Sequence, residues 1–278
     1  MISESLWSTY RSMPGVNPSI VREGLRSMRH LLHARMNPTE PTDAMILGTL
    51  THALVFEPLR FAEIAAVFDG DGSKATKAWK EHKASVAPRI PVHPDDLAEI
   101  QAMADAVADD PRCSAMVGLK GITEACMTWA DAETSVACKS RLDRYIPKGD
   151  KPAVILEFKT AFDGSPKGVQ RAAESNGWDI AAAMRVDGHK ASEGTEVEYW
   201  WIVVEKSAPY IVTPYRADAG ILAVGRAKYR SVLEKYAACE KSGIWPGYAP
   251  PGRGLVLEPS TWAVRDWQVE YETSMENA

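Results

Sequence analysis

The sequence predicts an α/β (α+β) domain, a mixed central β-sheet flanked by helices, and three observations carry that expectation. Residues 122–130, 134–146 and 153–159 read as strands, with Pro147-Lys-Gly-Asp-Lys-Pro152 as the turn between the last two. A helical stretch at 178–186 is followed by two further strand-like runs, 197–205 and 210–215, joined at Ala208-Pro209. The segment before residue 110 is dominated by helical periodicity. One domain over 1–278 is the economical organisation, with a helical N-terminal part to about 110 and a core from about 120 to 265.

Each element has a local cause. Asn17-Pro18-Ser19 supplies a cap and a first-turn proline, and Ile20, Val21, Met28, Leu31 and Leu32 continue a stripe that predicts one helix to about Arg35. Thr42 caps a second helix through Met45, Leu47, Leu50, Leu54 and Val55, closed by Pro58, and this helix carries His52. Residues 70–94, rich in Gly, Lys and Pro with little periodicity, read as a mobile basic connection. Residues 95–108 return to a helix, a loop holding Gly164, Pro166 and Gly168 precedes the 178–186 helix, and 219–241 form a long helix. No internal repeat is visible.

Composition excludes several classes. A chain of 278 residues with 45% hydrophobic content can fill a substantial core. Its longest apolar runs, such as Trp200-Trp201-Ile202-Val203-Val204, fall far short of the roughly 20 residues that span a bilayer. The N-terminus lacks a basic-then-apolar secretory pattern, so a cytoplasmic location without membrane contact is expected. Cys113, Cys126, Cys138 and Cys239 form no C-x-x-C pair, which signals neither zinc nor an iron-sulfur cluster. A net charge of −5 argues against nonspecific coating of nucleic acid. Basic residues do cluster at Arg11, Arg22, Arg26, Arg29 and Arg35, at Lys74, Lys77, Lys80, Lys83 and Arg89, and at Arg226, Lys228 and Arg230. These are either parts of a backbone-binding channel or solvated helix faces.

The chemistry concentrates on the middle strands. In Ala-Val-Ile-Leu-Glu157-Phe-Lys159 the period of two puts Glu157 and Lys159 on one face, opposite Val154, Leu156 and Phe158. The preceding strand presents Lys139, Arg141 and Asp143 on one face and Val136, Cys138 and Leu142 on the other. Alone, an E-x-K pair is most often a surface salt bridge. With Asp143 beside it, the pair supplies oxygen ligands for a hard cation and a lysine able to stabilise a charged transition state, which is what phosphodiester hydrolysis needs. His52 offers an imidazole ligand suited to manganese and tolerated by magnesium, or is a structural helix residue. Glu124 offers a further carboxylate, or is an edge-strand surface acid.

The order His52, Glu124, Asp143, Glu157-Phe158-Lys159 resembles the PD-(D/E)xK nuclease superfamily. Gly48-Thr-Leu-Thr-His52-Ala-Leu-Val-Phe-Glu57-Pro58, Arg141-Leu-Asp143, Glu205-Lys-Ser-Ala-Pro209-Tyr210 and Trp245-Pro246-Gly247-Tyr248 further resemble the RecE (exonuclease VIII) C-terminal nuclease family, over about residues 40–265. The resemblance implies a Mg2+-dependent exonuclease, with Mn2+ able to substitute, that digests the 5'-ended strand of linear double-stranded DNA. It also implies a RecT-like single-strand annealing partner and a ring-shaped homo-oligomer, a trimer or tetramer. By motif position it makes His52, Asp143, Glu157 and the Phe158 carbonyl metal ligands, Lys159 the catalytic lysine and Glu124 an auxiliary acid. Lys139, Arg141 and Arg185 are the basic residues expected at DNA. One departure is plain: where the family carries Gln and, four residues later, Tyr on the helix after the acidic strand, this chain has Ala181 and Arg185. Two alternatives stay open, a Cas4-like or RecB-like nuclease of other polarity and a DNA-end-binding module with impaired catalysis.

Overall fold

A six-stranded mixed sheet in the order β1-β4-β5-β6-β7-β8 runs through the protein, and helices cover both of its faces. The computed structural model describes residues 2–3, 7–249 and 252–276. The chain opens with β1 (Ile2–Ser3), α1 (Trp7–Ser12), α2 (Pro18–Gly24), α3 (Met28–Met36), α4 (Asp43–Phe56) and α5 (Pro58–Ile64). Next come β2 (Ala65–Val67), α6 (Lys77–Ser85), β3 (Ile90–Val92), α7 (Pro94–Asp109) and α8 (Pro111–Val117). The sheet strands β4 (Ile122–Ala130), β5 (Ala137–Ile146) and β6 (Ala153–Ala161) lead to α9 (Pro166–Asn176) and α10 (Trp178–Glu193). β7 (Val197–Glu205), β8 (Val212–Arg216), α11 (Ala219–Ser242) and α12 (Thr261–Glu276) complete it. Among the described residues only β6 and β7 pair in parallel within the large sheet, across the α9–α10 crossover; β2 and β3 form a small parallel pair apart from it.

The strand alternation sorts the core into layers. Leu156 and Phe158 of β6, with Ile202 and Val204 of β7, pack against Phe56 of α4, Met103 and Val107 of α7 and Cys113 of α8. The opposite face presents Ile155, Tyr199, Trp201 and Val203 to Ala182 and Val186 of α10. α10 is covered in turn by α2, α3 and α11, through Val21, Leu31, Val232, Leu233 and Tyr236. Glu157, at 1% exposure, thus occupies a strand position that an apolar residue would normally fill.

Several expectations are corrected here. The helix expected from Pro18 to about Arg35 is two, because Ser27 Oγ accepts from His30 N at 3.2 Å and caps α3 as a new start. Gly24 ends the first piece where a side chain has no room: a Cβ there would lie 2.5 Å from Val232 Cγ1. The stretch 70–94 is not a bare connection, since Thr76 caps α6 and Trp79 is buried against Phe68 and His93, at ring distances of 5.6 and 5.2 Å. The supposed loop at 164–168 starts α9, with Ser165 Oγ accepting from Gly168 N at 3.2 Å and Pro166 in the first turn. α8 and α12 were not anticipated. Among the described residues no helix is long and apolar enough to cross a membrane.

Candidate active site

The ladder between β5 and β6 stops early, and the site begins where it stops. Their register runs Ile146↔Val154, Tyr145↔Ile155 and Arg144↔Leu156 and goes no further. At the next step side chains replace backbone: Asp143 N–H donates to Glu157 Oε1 at 3.2 Å, and Phe158 N–H donates to Asp143 Oδ2 at 2.8 Å. Backbone donors inside a protein need partners, and here each acid caps the opposite strand. Two carboxylates are thereby fixed at the mouth of a splayed strand pair. Phe158 enters through this N–H, while its ring packs edge-on against Phe56 at 6.4 Å.

His52 reaches the same place from α4, a helix begun by Thr42 as expected. Its Nδ1 lies 3.5 Å from Glu124 Oε1 and its Nε2 lies 3.9 Å from Asp143 Oδ2. Glu124 also ion-pairs with Arg141. Glu124 holds φ at +54°, a left-handed conformation that a non-glycine residue adopts at a cost of about 1 kcal/mol or more. Such outliers gather at functional sites. Glu57, the C-terminal cap of α4, brings a fourth acid, and ligand atoms of His52, Glu57 and Glu124 all lie within 4.8 Å of one another. Glu57 was quoted within a sequence motif without a role, and only its position at the end of the His52 helix hinted at one.

The two strand acids are tuned in opposite directions. Burial pushes the Glu124 carboxyl up, overcoming His52 and reinforced by the charge on Asp143. Burial also acts to raise Asp143, but the charges of Lys159, His52 and Arg185 and the Phe158 N–H together hold it below the ordinary carboxylate range.

Lys159 and Arg185 share Glu157. Lys159 Nζ sits 3.0 Å, and Arg185 Nη1 2.7 Å, from Glu157 Oε2. The E-x-K pair is therefore no exposed hairpin bridge, since the Glu157 side chain is 1% exposed. Arg185, expected at DNA, has its guanidinium turned inward: Nε donates to Ser140 Oγ at 2.7 Å, Nη1 to Tyr199 Oη at 2.8 Å and Nη2 to the Arg141 carbonyl at 2.9 Å. Lys139 is also not brought to the cleft. Its Nζ is buried and donates to the carbonyls of Tyr10, Arg11 and Met13 at 3.1, 3.2 and 2.6 Å, closing the end of α1. Arg141 does line the site, beside Glu124. The basic run on α11 is used internally as well, Arg226 on Asp187, Lys228 on Asp179 and Arg230 on Asp131.

The donor set fits a hard divalent cation. His52 Nε2 is buried with no hydrogen-bond partner, an arrangement that leaves an imidazole lone pair or N–H unused next to the carboxylates of Asp143 and Glu124. His52, Glu57 and Glu124, whose ligand atoms lie within 4.8 Å of one another, are the residues that would hold it, with Asp143 3.9 Å from His52 Nε2 and Glu157 beside Asp143.

A splayed mixed sheet bearing Asp143, Glu157 and Lys159 at the opening defines a core of the PD-(D/E)xK nuclease superfamily. The chain belongs to the family described as "PDDEXK-like domain of unknown function (DUF3799)", whose model matches residues 23–251. Among solved structures, one named "Putative exonuclease" from Eubacterium rectale is similar at 11% identity and a TM-score of 0.61, covering 94% of this chain and 98% of that one. At that identity the likeness concerns the fold. A second, SSO0001, gives 13% identity and a TM-score of 0.32 over 78% of this chain and 75% of its own. No curated protein matches the sequence.

Proposed function

We propose that the protein is a metal-dependent 5'-to-3' exonuclease that acts on linear double-stranded DNA and leaves 3' single-stranded overhangs for annealing recombination. The observation that carries the reading is the reciprocal capping of Asp143 and Glu157 with Lys159 fixed 3.0 Å from Glu157 Oε2. The ion is proposed to be Mg2+, with Mn2+ substituting; when bound it supplies positive charge against the scissile phosphate and makes its water more acidic. Asp143 and His52 would hold that ion, and the Phe158 N–H fixes the Asp143 carboxylate beside His52. Lys159, whose side chain is 25% exposed, can donate a hydrogen bond to the attacking water or to a phosphoryl oxygen while tethered to Glu157. Glu124 and Glu57 can accept a proton from water at the same mouth, and the raised carboxyl of Glu124 suits that use.

A ring-shaped trimer or tetramer threaded by the DNA, and a RecT-like annealing protein as partner, complete the proposal. The test is a comparison of linear and covalently closed duplex in Mg2+, with label at either 5' or 3' ends. Early release of 5' label from linear duplex only supports the reading; equal nicking of closed circles, or 3' label leaving first, overturns it.

A further inference from the structure

Glu157 carries an unusual amount of positive charge for an acid in this position. A carboxylate has about four lone-pair sites, two on each oxygen. Here Oε2 meets both Arg185 and Lys159, and Oε1 accepts from Asp143 N–H. That leaves one acceptor site, on Oε1. Arg185 has no freedom to step aside, because Ser140 Oγ, Tyr199 Oη and the Arg141 carbonyl engage three of its N–H groups, beside its ion pair with Glu157. A planar guanidinium held this way is a fixed charge, unlike a flexible ammonium.

The count around the mouth follows. Glu57, Glu124, Asp143 and Glu157 supply four carboxylates, and Arg141, Lys159 and Arg185 supply three cations beside them. Three side-chain cations therefore offset most of the four carboxylates that an incoming divalent ion would meet.

We infer that Arg185 is a positioning residue that holds Glu157 to a single-oxygen contact through Oε1 and, as a built-in cation, keeps metal binding weak and exchangeable. The inference rests on the metal-dependent reading above and gives Ala181-x-x-x-Arg185 a role in place of the Gln and Tyr of the RecE family. Removing the guanidinium opens one of the two acceptor sites on Oε2, the other staying with Lys159, and withdraws one positive charge, and both changes tighten metal binding. It also releases the Glu157 side chain, which slows cutting. A merely structural role for Arg185 would weaken binding and cutting together.

The experiment is Mn2+ binding to the full chain, read by electron paramagnetic resonance of free Mn2+, beside cutting of a linear duplex at saturating metal. Arg185→Met is expected to bind Mn2+ at least about tenfold more tightly, a change of about 1.4 kcal/mol, while its turnover falls. Arg185→Lys, which keeps the charge and lacks the fork, is expected to bind Mn2+ within about twofold of the parent and still cut slowly. Unchanged or weaker Mn2+ binding in Arg185→Met overturns the inference. If Arg185→Met does not fold, judged by circular dichroism, Arg185→Lys decides: turnover equal to the parent overturns the positioning role, and slowed turnover with parental Mn2+ affinity supports it. A parent protein that binds no Mn2+ fails the metal-dependent reading itself, and a parent that binds Mn2+ while Arg185→Met binds it no more tightly fails only the inference.

Discussion

Asp143 and Glu157 cap each other's strands: the Asp143 N–H meets Glu157 Oε1 at 3.2 Å, and the Asp143 carboxylate takes the N–H of the residue after Glu157 at 2.8 Å. The acids therefore hold open the same gap that they line. Architecture and chemistry are coupled at this point.

Glu157→Gln keeps the shape and removes the charge that faces Arg185 and Lys159. Leaving buried cations without their carboxylate costs roughly 3–5 kcal/mol. The expected outcome is a lower urea midpoint in metal-free buffer together with lost cutting. Stability equal to the parent would mean that the buried pair contributes nothing.

Glu124 offers a cleaner separation of strain from chemistry. At φ +54° glycine sits without penalty, whereas alanine keeps the strain. Glu124→Gly is expected to be more stable than Glu124→Ala by about 1 kcal/mol in urea unfolding, with both equally impaired in cutting. The reverse order would remove the backbone argument.

Arg230 clamps α11 to the turn after β4, through Asp131 and, at 3.1 Å, Glu133. Arg230→Ala leaves Asp131, at 6% exposure, without its counter-ion and with only Thr134 donating to it, and is expected to lower stability by about 3 kcal/mol. It should leave the salt slope of DNA binding unchanged, because the guanidinium neutralises a protein carboxylate and no phosphate. A slope smaller by about one would return this run to the DNA surface.

All four cysteines are buried, and none is in a disulfide. Burial pushes the thiols of Cys113 and Cys138 up to about 12. At pH 8 a thiol of that kind is ionised only about one part in ten thousand, and the thiolate is the reacting form. A disulfide reagent is expected to label the native protein slowly at pH 8, faster as pH rises toward 12, and fully once urea unfolds it. Rapid native labelling of Cys113 or Cys138 would contradict the buried placement.

Much of the sheet was legible in the sequence. The strands at 122–130 and 197–205 appear with the expected bounds, because period-two alternation and flanking turn residues are local signals. The cap at Thr76 and the start at Ser165-Pro166 were hidden by neighbouring glycines, lysines and prolines that suggest loops, and the break at Ser27 by an apolar stripe that continues across it. His52, Glu124, Asp143, Glu157 and Lys159 could be collected by motif, and the structure places them around one opening. The inward roles of Arg185 and Lys139 could not be read, since Ser140 and the Arg141 carbonyl for the one and the Tyr10–Met13 carbonyls for the other lie far away in the chain. Charge alone does not tell a phosphate contact from a buried counter-ion.

The most direct test of the central claim compares the parent and Lys159→Ala on a linear duplex carrying 5' label, in Mg2+, with Mn2+ affinity measured on the same samples. The account predicts release of 5' nucleotides by the parent, a loss of roughly 10²-fold or more in Lys159→Ala, and retained Mn2+ binding in both. Cutting by Lys159→Ala at the parental rate would contradict it.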